Sequence, residues 1–472
     1  MLRNRVGATI GVMAVGLASY WRQFPGMREQ LLGHYEQLAS KFGADCTVIR
    51  AGMVDTAQAA REAGQLFRVH DVDLVFCQLT TYANSETLLP AIRELYVPVI
   101  LLNVQSVKRL EMEQVKTLHD WLGAGITCAA LPEMTAALRR MEKRCAIVSG
   151  YMHGDGEVDA ALADWSAAAA VTRRLRKQNL ALLGRPFAGM MDLNVDETAL
   201  FKVFGTYVHH LQWDDIVDEA EQVADDDAET AAGLLTACFD MPAHLSAQEL
   251  LGMSRLLCGV MRLAEQYELC GLPNHYEGAL QARHTELLAA WNPVLSVLNG
   301  LGIACPVEAD IKAAVAMVIL KQLAGSATLA ELYSLDYELD QCIIGHSGAG
   351  DPAISAAKPK LTMSDVFHGK SGKGYVTQFY PQEGAVTLFS LTQDGDGRYR
   401  MVAAEGECVS GPPLDLGDTN CRVRFAIGLR AFVDRWSSLG PTHHGVLGLG
   451  RHTATLRKMA VMLDIPLDIV CV

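Results

Sequence analysis

Leu74-Val75-Phe76-Cys77-Gln78 is a five-residue apolar run ending on a polar residue. Thr80-Thr81-Tyr82 follows after Leu79. A run this short, rich in strand-forming residues and bounded by polar ones, reads as a buried strand with a loop at its carboxyl end. The same texture recurs on both sides. Val6–Val15, Asp45–Arg50, Pro98–Asn103 and Arg144–Gly150 read as strands. Between them, Gly26–Phe42 and Ala57–Val69 carry apolar residues at helical spacing. Strands alternating with helices predict βαβ units and a parallel sheet. Ligands of such sheets sit beyond the carboxyl ends of the strands, so the polar loops at 80–82 and 103–105 are natural walls of a pocket.

The 472 residues exceed one ordinary core and predict several domains. Ala160–Asn179 reads as a long helix at a junction. A second α/β portion follows, with strands expected at Leu180–Leu183 and Phe187–Met191. The acidic run Asp214–Glu229 reads as a solvated helix face and loop, and helical patterns fill 246–268 and 278–300. Near residue 350 the texture changes to short strands at Gly374–Tyr380, Ala385–Thr392, Arg398–Glu407 and Cys421–Phe425. Asp394-Gly395-Asp396-Gly397 is a hairpin turn between two of them. A largely antiparallel C-terminal domain is expected.

Half of the residues are hydrophobic and a fifth charged, which are globular proportions. The net charge of -14 argues against a broad nucleic-acid-binding surface. Twelve scattered cysteines without a C-x-x-C pair read as buried free thiols and point to a reducing, cytoplasmic setting. Arg3 and Arg5 before an apolar run imitate a secretory leader. Gly7, Gly11 and Gly16, and the direct passage into Tyr20-Trp21-Arg22-Gln23-Phe24-Pro25-Gly26, favour a first strand followed by a loop. No stretch is apolar for the roughly 18 residues of a membrane span.

No nucleophile elbow, Walker A loop or H-E-x-x-H motif is present. Four polar positions in apolar settings remain. Glu308 lies just before the apolar helical run Ala313–Leu323, where it could equally cap the helix. Glu331 opens Glu331-Leu332-Tyr333-Ser334 and reads alone as a surface acid. His346 ends the apolar strand Gln341–Ile344 before a glycine-rich loop. In Thr442-His443-His444-Gly445, adjacent histidines on an extended segment would face opposite ways. Two carboxylates and two imidazoles suit Mn2+ or a related divalent ion, with Co2+ and Mg2+ as alternatives.

These segments resemble the L-arabinose isomerase and L-fucose isomerase superfamily, nearer its arabinose isomerase side. Val307-Glu308-Ala309-Asp310-Ile311-Lys312 looks like the family's Glu-x-Asp segment. Glu331 with Tyr333, Ile343-Ile344-Gly345-His346, Thr442-His443-His444 and the register from Leu456 to Pro466 also match. Tyr20–Gly26 looks like a signature loop of the family. Many relatives have Cys-Glu in place of Val307-Glu308, and Trp-His-Cys-Gly in place of Gly345–Gly348. The resemblance implies two Rossmann-like α/β domains and a β-rich, antiparallel barrel-like domain, divided at 1–170, 171–325 and 326–472. It implies a cytoplasmic homo-oligomer, a trimer or hexamer, acting on a small sugar, with no nucleic-acid or membrane partner. It implies Glu308, Glu331, His346 and His444 as metal ligands, the two glutamates as the acid/base pair, and Gln23, Tyr82 and His443 as substrate contacts. The expected reaction is aldose–ketose isomerisation of a pentose or 6-deoxyhexose through a cis-enediol. An epimerase, another proton-transfer enzyme on the same fold, and a non-catalytic sugar-binding relative are the alternatives.

Overall fold

The computed structural model describes residues 6–43, 45–275, 285–364, 374–412, 414 and 418–472. Arg3, Arg5 and positions 278–284 of the expected helical stretch lie outside the described residues. The chain divides into two compact units, one built from Val6–Arg174 with Ala454–Asp464, the other mainly from Leu175–Thr453 with Ile465–Val472.

In the first unit, β1 (Ala8–Val15), β2 (Cys46–Val54), β3 (Leu74–Leu79), β4 (Val99–Gln105) and β5 (Cys145–Tyr151) form one parallel sheet. Its order is β2-β1-β3-β4-β5, that of flavodoxin-type doubly wound sheets. β1 and β3 are buried along their whole length, as continuous apolar strands of a covered parallel sheet should be. The chain reverses its winding between β1 and β3, so the loops after these strands flank the switch-point crevice. The segment expected as a loop after β1 contains a short helix, Ala18–Gln23, tied down by Trp21 Nε1 donating to Asp55 (2.8 Å).

In the second unit, β6 (Asn179–Leu183), β7 (Val208–Leu211) and β8 (Leu269–Gly271) make a small parallel sheet ordered β7-β6-β8. Phe187–Met191, expected as a strand, is instead a turn leading into a short 3-10 helix at Met191–Leu193. Gly189 sits there at φ 96°, a conformation that breaks any strand.

The antiparallel region begins earlier than the texture change suggests. β9 (Ala327–Asp336) and β10 (Gln341–His346) already belong to it. β11 (Lys360–Ser364) and β12 (Gly374–Gln378) form a separate two-stranded sheet. β13 (Gly384–Gln393), β14 (Tyr399–Val409), β15 (Thr419–Arg424) and β16 (Gly445–Leu449) complete the main sheet in the order β13-β16-β9-β10-β15-β14. β13 also pairs with β14 over ten residues, which closes six antiparallel strands into a barrel. β17 (Leu467–Ile469) adds to β14 in parallel. Closure removes the sheet edges, and Ile344, Val386, Leu388, Val402, Val423 and Phe432 are among the residues of its apolar core.

One helix explains where the chemistry falls. Ile311–Ala324 is buried on nearly every side, Ile311 to Gln322 without a break. It packs on β9, β13 and β16 and also touches β6 and β8. A helix apolar all round must lie inside the core. Its N-terminus carries Glu308, Ala309 and Asp310 into the interior, beside the barrel. No described helix is long and apolar enough to cross a membrane.

Candidate metal centre

Strand register brings three of the expected residues together. β16 and β9 pair Gly445 with Ala330, so His444, one step before the strand, stands level with Glu331. β9 and β10 pair Glu331 with Gly345, which places His346 next to it. Gly345 cannot carry a side chain, because a Cβ there would lie 2.2 Å from the Thr419 carbonyl oxygen. The absence of one lets β10 lie close to β15. The β9–β10 ladder bulges at Tyr333, which is skipped between the Ser334–Ile343 and Leu332–Ile344 pairs. Bulges re-aim side chains beside functional sites. Here the Tyr333 hydroxyl donates to Asp418 (3.0 Å). Burial and then the Asp418 carboxylate push that phenol well above its usual range.

Glu308 arrives from the opposite side. It and Ala309 are both left-handed, at φ 62° and 58°. Two successive non-glycine residues in this region are strained and need outside support. The support is a clamp of backbone bonds. Ala309 N–H donates to the Asn274 carbonyl (2.9 Å) and Phe187 N–H to the Glu308 carbonyl (3.3 Å). Asn274 is itself fixed, its amide donating to the Pro306 and Leu272 carbonyls and its oxygen accepting from Trp291 Nε1 (2.8 Å). The helix cap is not Glu308. Asp310 caps it, its Oδ1 accepting from Ala313 N–H (2.9 Å). Glu308 is thereby released from a capping role and turned toward the histidines.

Asp310, fully buried, uses its second oxygen on His444. His444 Nδ1 donates to Oδ2 (3.0 Å), so the neutral ring presents Nε2 as an acceptor. Nε2 lies 3.3 Å from Glu308 Oε2. Both atoms are buried and neither has a hydrogen-bond partner. Two acceptors face each other, an arrangement that only a proton or a cation reconciles. In the metal-free protein the proton serves. Burial opposes charge on His444, but Asp310 and Glu308 push its pKa up to about 10. Burial likewise opposes charge on Glu308, yet the His443 and His444 imidazoles hold its carboxyl far below the usual range. His346 is completed differently. Its Nδ1 donates to the Ser347 carbonyl (2.8 Å), leaving Nε2 as acceptor, and burial with His444 nearby lowers its pKa.

His443 does not face away from His444. Thr442–His444 precedes β16 in an irregular turn, so strand alternation does not apply, and the two rings lie 4.0 Å apart. His443 Nε2 is 3.6 Å from Glu308 Oε2 and 3.7 Å from Glu331 Oε1. Donor atoms of Glu308, His443 and His444 lie within 4.8 Å of one another, as do those of Glu331, His346 and His444. Five of the seven expected residues thus meet in one place. Gln23 and Tyr82 belong to the other unit, Gln23 exposed on the short helix after β1 and Tyr82 half-buried just after β3. Asp310 and Asp192, which hold the two histidines, escaped the sequence reading. Asp310 was legible as a partner only through its place two residues after Glu308, and Asp192 carries no local signal at all.

The donor set fits a divalent cation: carboxylate oxygens and imidazole nitrogens, two of them buried without partners, and a carboxylate–histidine pair behind one of them. No cysteine is paired in a disulfide and none joins the cluster.

Comparison with known proteins finds one family match and distant relatives. Residues 326–466 match the family model of the L-arabinose isomerase C-terminal domain. The chain is also 28% identical over 182 residues to the sulfoquinovose isomerases of Priestia aryabhattai and Priestia megaterium. Each match covers 38% of this chain and 40% of the relative. The six-stranded barrel, with Glu331, His346, His443 and His444, falls within the stretch that this family model covers, whereas Glu308 lies before it.

Proposed function

We propose that the protein is a metal-dependent sugar isomerase that interconverts an aldose and its ketose. The observation that carries this reading is the buried, partnerless pair Glu308 Oε2 and His444 Nε2, flanked by Glu331 and His346. Glu308, Glu331, His346 and His444 would hold the cation, with Mn2+ as the proposed ion and Co2+ or Mg2+ as alternatives. When bound, a divalent ion supplies Lewis acidity, polarising the sugar's carbonyl and neighbouring hydroxyl.

The protein's own groups handle the protons. One of the two glutamates removes the C2 proton of the aldose and returns it to C1. The other passes the hydroxyl proton from O2 to O1. The C2–H bond breaks, a C1–H bond forms and the carbonyl moves from C1 to C2 through a cis-enediol, so no redox cofactor is needed. The clamp on residues 306–310 keeps Glu308 in place between these steps, which is the contribution of pre-organisation.

The substrate proposed is a pentose or 6-deoxyhexose, with a sulfosugar added by the likeness to the sulfoquinovose isomerases. A cytoplasmic homo-oligomer, trimer or hexamer, divided into domains near residues 170 and 325, completes the proposal. The test is a panel of L-arabinose, L-fucose, sulfoquinovose and related aldoses, incubated with Mn2+ and followed by NMR. A ketose product from at least one sugar, lost on chelation, is expected. An epimeric aldose or no product from the panel would overturn the isomerase reading.

A further inference from the structure

His443 has a support of its own. Asp192 Oδ2 accepts from His443 Nδ1 (2.7 Å) and also from the His443 backbone N–H (3.0 Å). An ionised carboxylate can only accept, so Nδ1 carries the proton and Nε2 is directed at the gap between Glu308 and Glu331. Asp192 sits on the 3-10 turn Met191–Leu193, and that turn is anchored. Lys312, 1% exposed on the central helix, donates to the Asn194 carbonyl (2.9 Å) and is attracted by both Asp310 and Asp192. Burial lowers the Lys312 pKa, and the two aspartates that orient the adjacent histidines both oppose that shift. The imidazoles differ in setting. His444 is fully enclosed, whereas the His443 side chain is 32% exposed.

We propose that Asp192 is a positioning residue that fixes the tautomer and direction of His443, so that His443 meets the sugar while His444 serves the cation. This rests on the isomerase reading of the cluster. The two aspartates would then act on different partners, Asp310 setting metal affinity and Asp192 setting substrate handling. A His443 held only by its backbone would rotate away from the two carboxylates, because its Nδ1 contact is to Asp192 alone among the bonds described.

The experiment compares wild type, Asp192→Asn and Asp192→Ala. Histidine tautomers are read from 15N resonances of 15N-histidine-labelled protein, with His443 assigned by its loss in His443→Gln. Mn2+ affinity is measured by electron paramagnetic resonance with the metal alone, and kcat and KM on the sugar that the panel identifies. In Asp192→Ala the His443 resonances should move to a mixture of tautomers and kcat/KM should fall at least about tenfold. The Mn2+ dissociation constant should stay within about twofold, since the carboxylate behind the ligand His444 is untouched. Asp192→Asn keeps an oxygen that accepts from Nδ1 and should recover part of the loss. Unchanged resonances and turnover in Asp192→Ala would overturn the proposal, as would a parallel collapse of Mn2+ affinity. Failure of the wild type to bind Mn2+ or to isomerise any sugar would instead sink the proposed function, and the 15N readout would still report on Asp192 by itself.

Discussion

Among the regions whose buried polar atoms lack a hydrogen-bond partner, two contrast in charge. At the barrel rim the atoms are Glu308 Oε2 and His444 Nε2, each backed by ionisable groups. In the other unit, on β3 and the loop after it, they are Gln78 Oε1, Thr81 Oγ1 and Asn84 Oδ1, all neutral. Thr81 is fully buried and Gln78 is 1% exposed. An unmet buried acceptor is costly, so each region holds an unmade interaction. The charged one asks for a proton or a cation. The neutral one suits hydroxyl donors, at a switch-point crevice where doubly wound sheets take their ligands. The two regions thus offer different chemistry on different folds within one chain. A closed barrel supplies register precise enough to bring together Glu331 on β9, His346 on β10 and His444 just before β16. An open parallel sheet supplies loops.

The contrast can be broken from either side. Outside the four proposed ligands, the largest effect should come from Asp310→Asn. Asparagine still caps the Ile311–Ala324 helix, so the fold persists, but it supports His444 less well. Mn2+ affinity measured by calorimetry should fall about 10-fold to 100-fold. An unchanged affinity would separate Asp310 from the metal site. Substitutions in the other unit should leave the metal alone. Gln23→Ala and Tyr82→Ala should each raise KM by up to about tenfold, at one lost hydrogen bond apiece, with Mn2+ affinity unaltered. A lost metal site in either variant would erase the distinction between the regions. The smallest effect concerns strain. Ala309→Gly relieves a left-handed alanine worth about 1–2 kcal/mol, less about 0.5–1 kcal/mol of added chain entropy. Chemical denaturation should show the metal-free variant stabilised by up to about 1.5 kcal/mol, and a destabilised variant would show that 309 is not strained.

The α/β alternation was readable because covered parallel strands are continuous apolar runs, and Leu74–Gln78 and Ala57–Val69 lie where periodicity puts them. β9 was harder. Ala327–Asp336 has four buried residues followed by half-exposed ones, a pattern shared by helix and strand. Its strand character comes from pairing with β10 and β16, which local sequence does not announce. The same limit governs the site. Glu308, Glu331, His346 and His444 stood out as polar groups in apolar settings and through a family likeness. Asp192 lies 251 residues from His443, and only the folded chain brings the two together. The expectation that His443 and His444 face apart failed for a local reason, since alternation needs a strand and β16 starts only at Gly445, after both of them.

The most direct measurement is the sugar-panel assay with Mn2+, run on wild type and on Glu308→Gln. We expect wild-type protein to form a ketose that disappears on chelation, and Glu308→Gln to lose at least about a hundredfold in kcat, the scale of a positioned proton-transfer group. Full turnover in Glu308→Gln, or ketose formation that survives complete metal removal, would contradict a metal-dependent isomerase centred on this cluster.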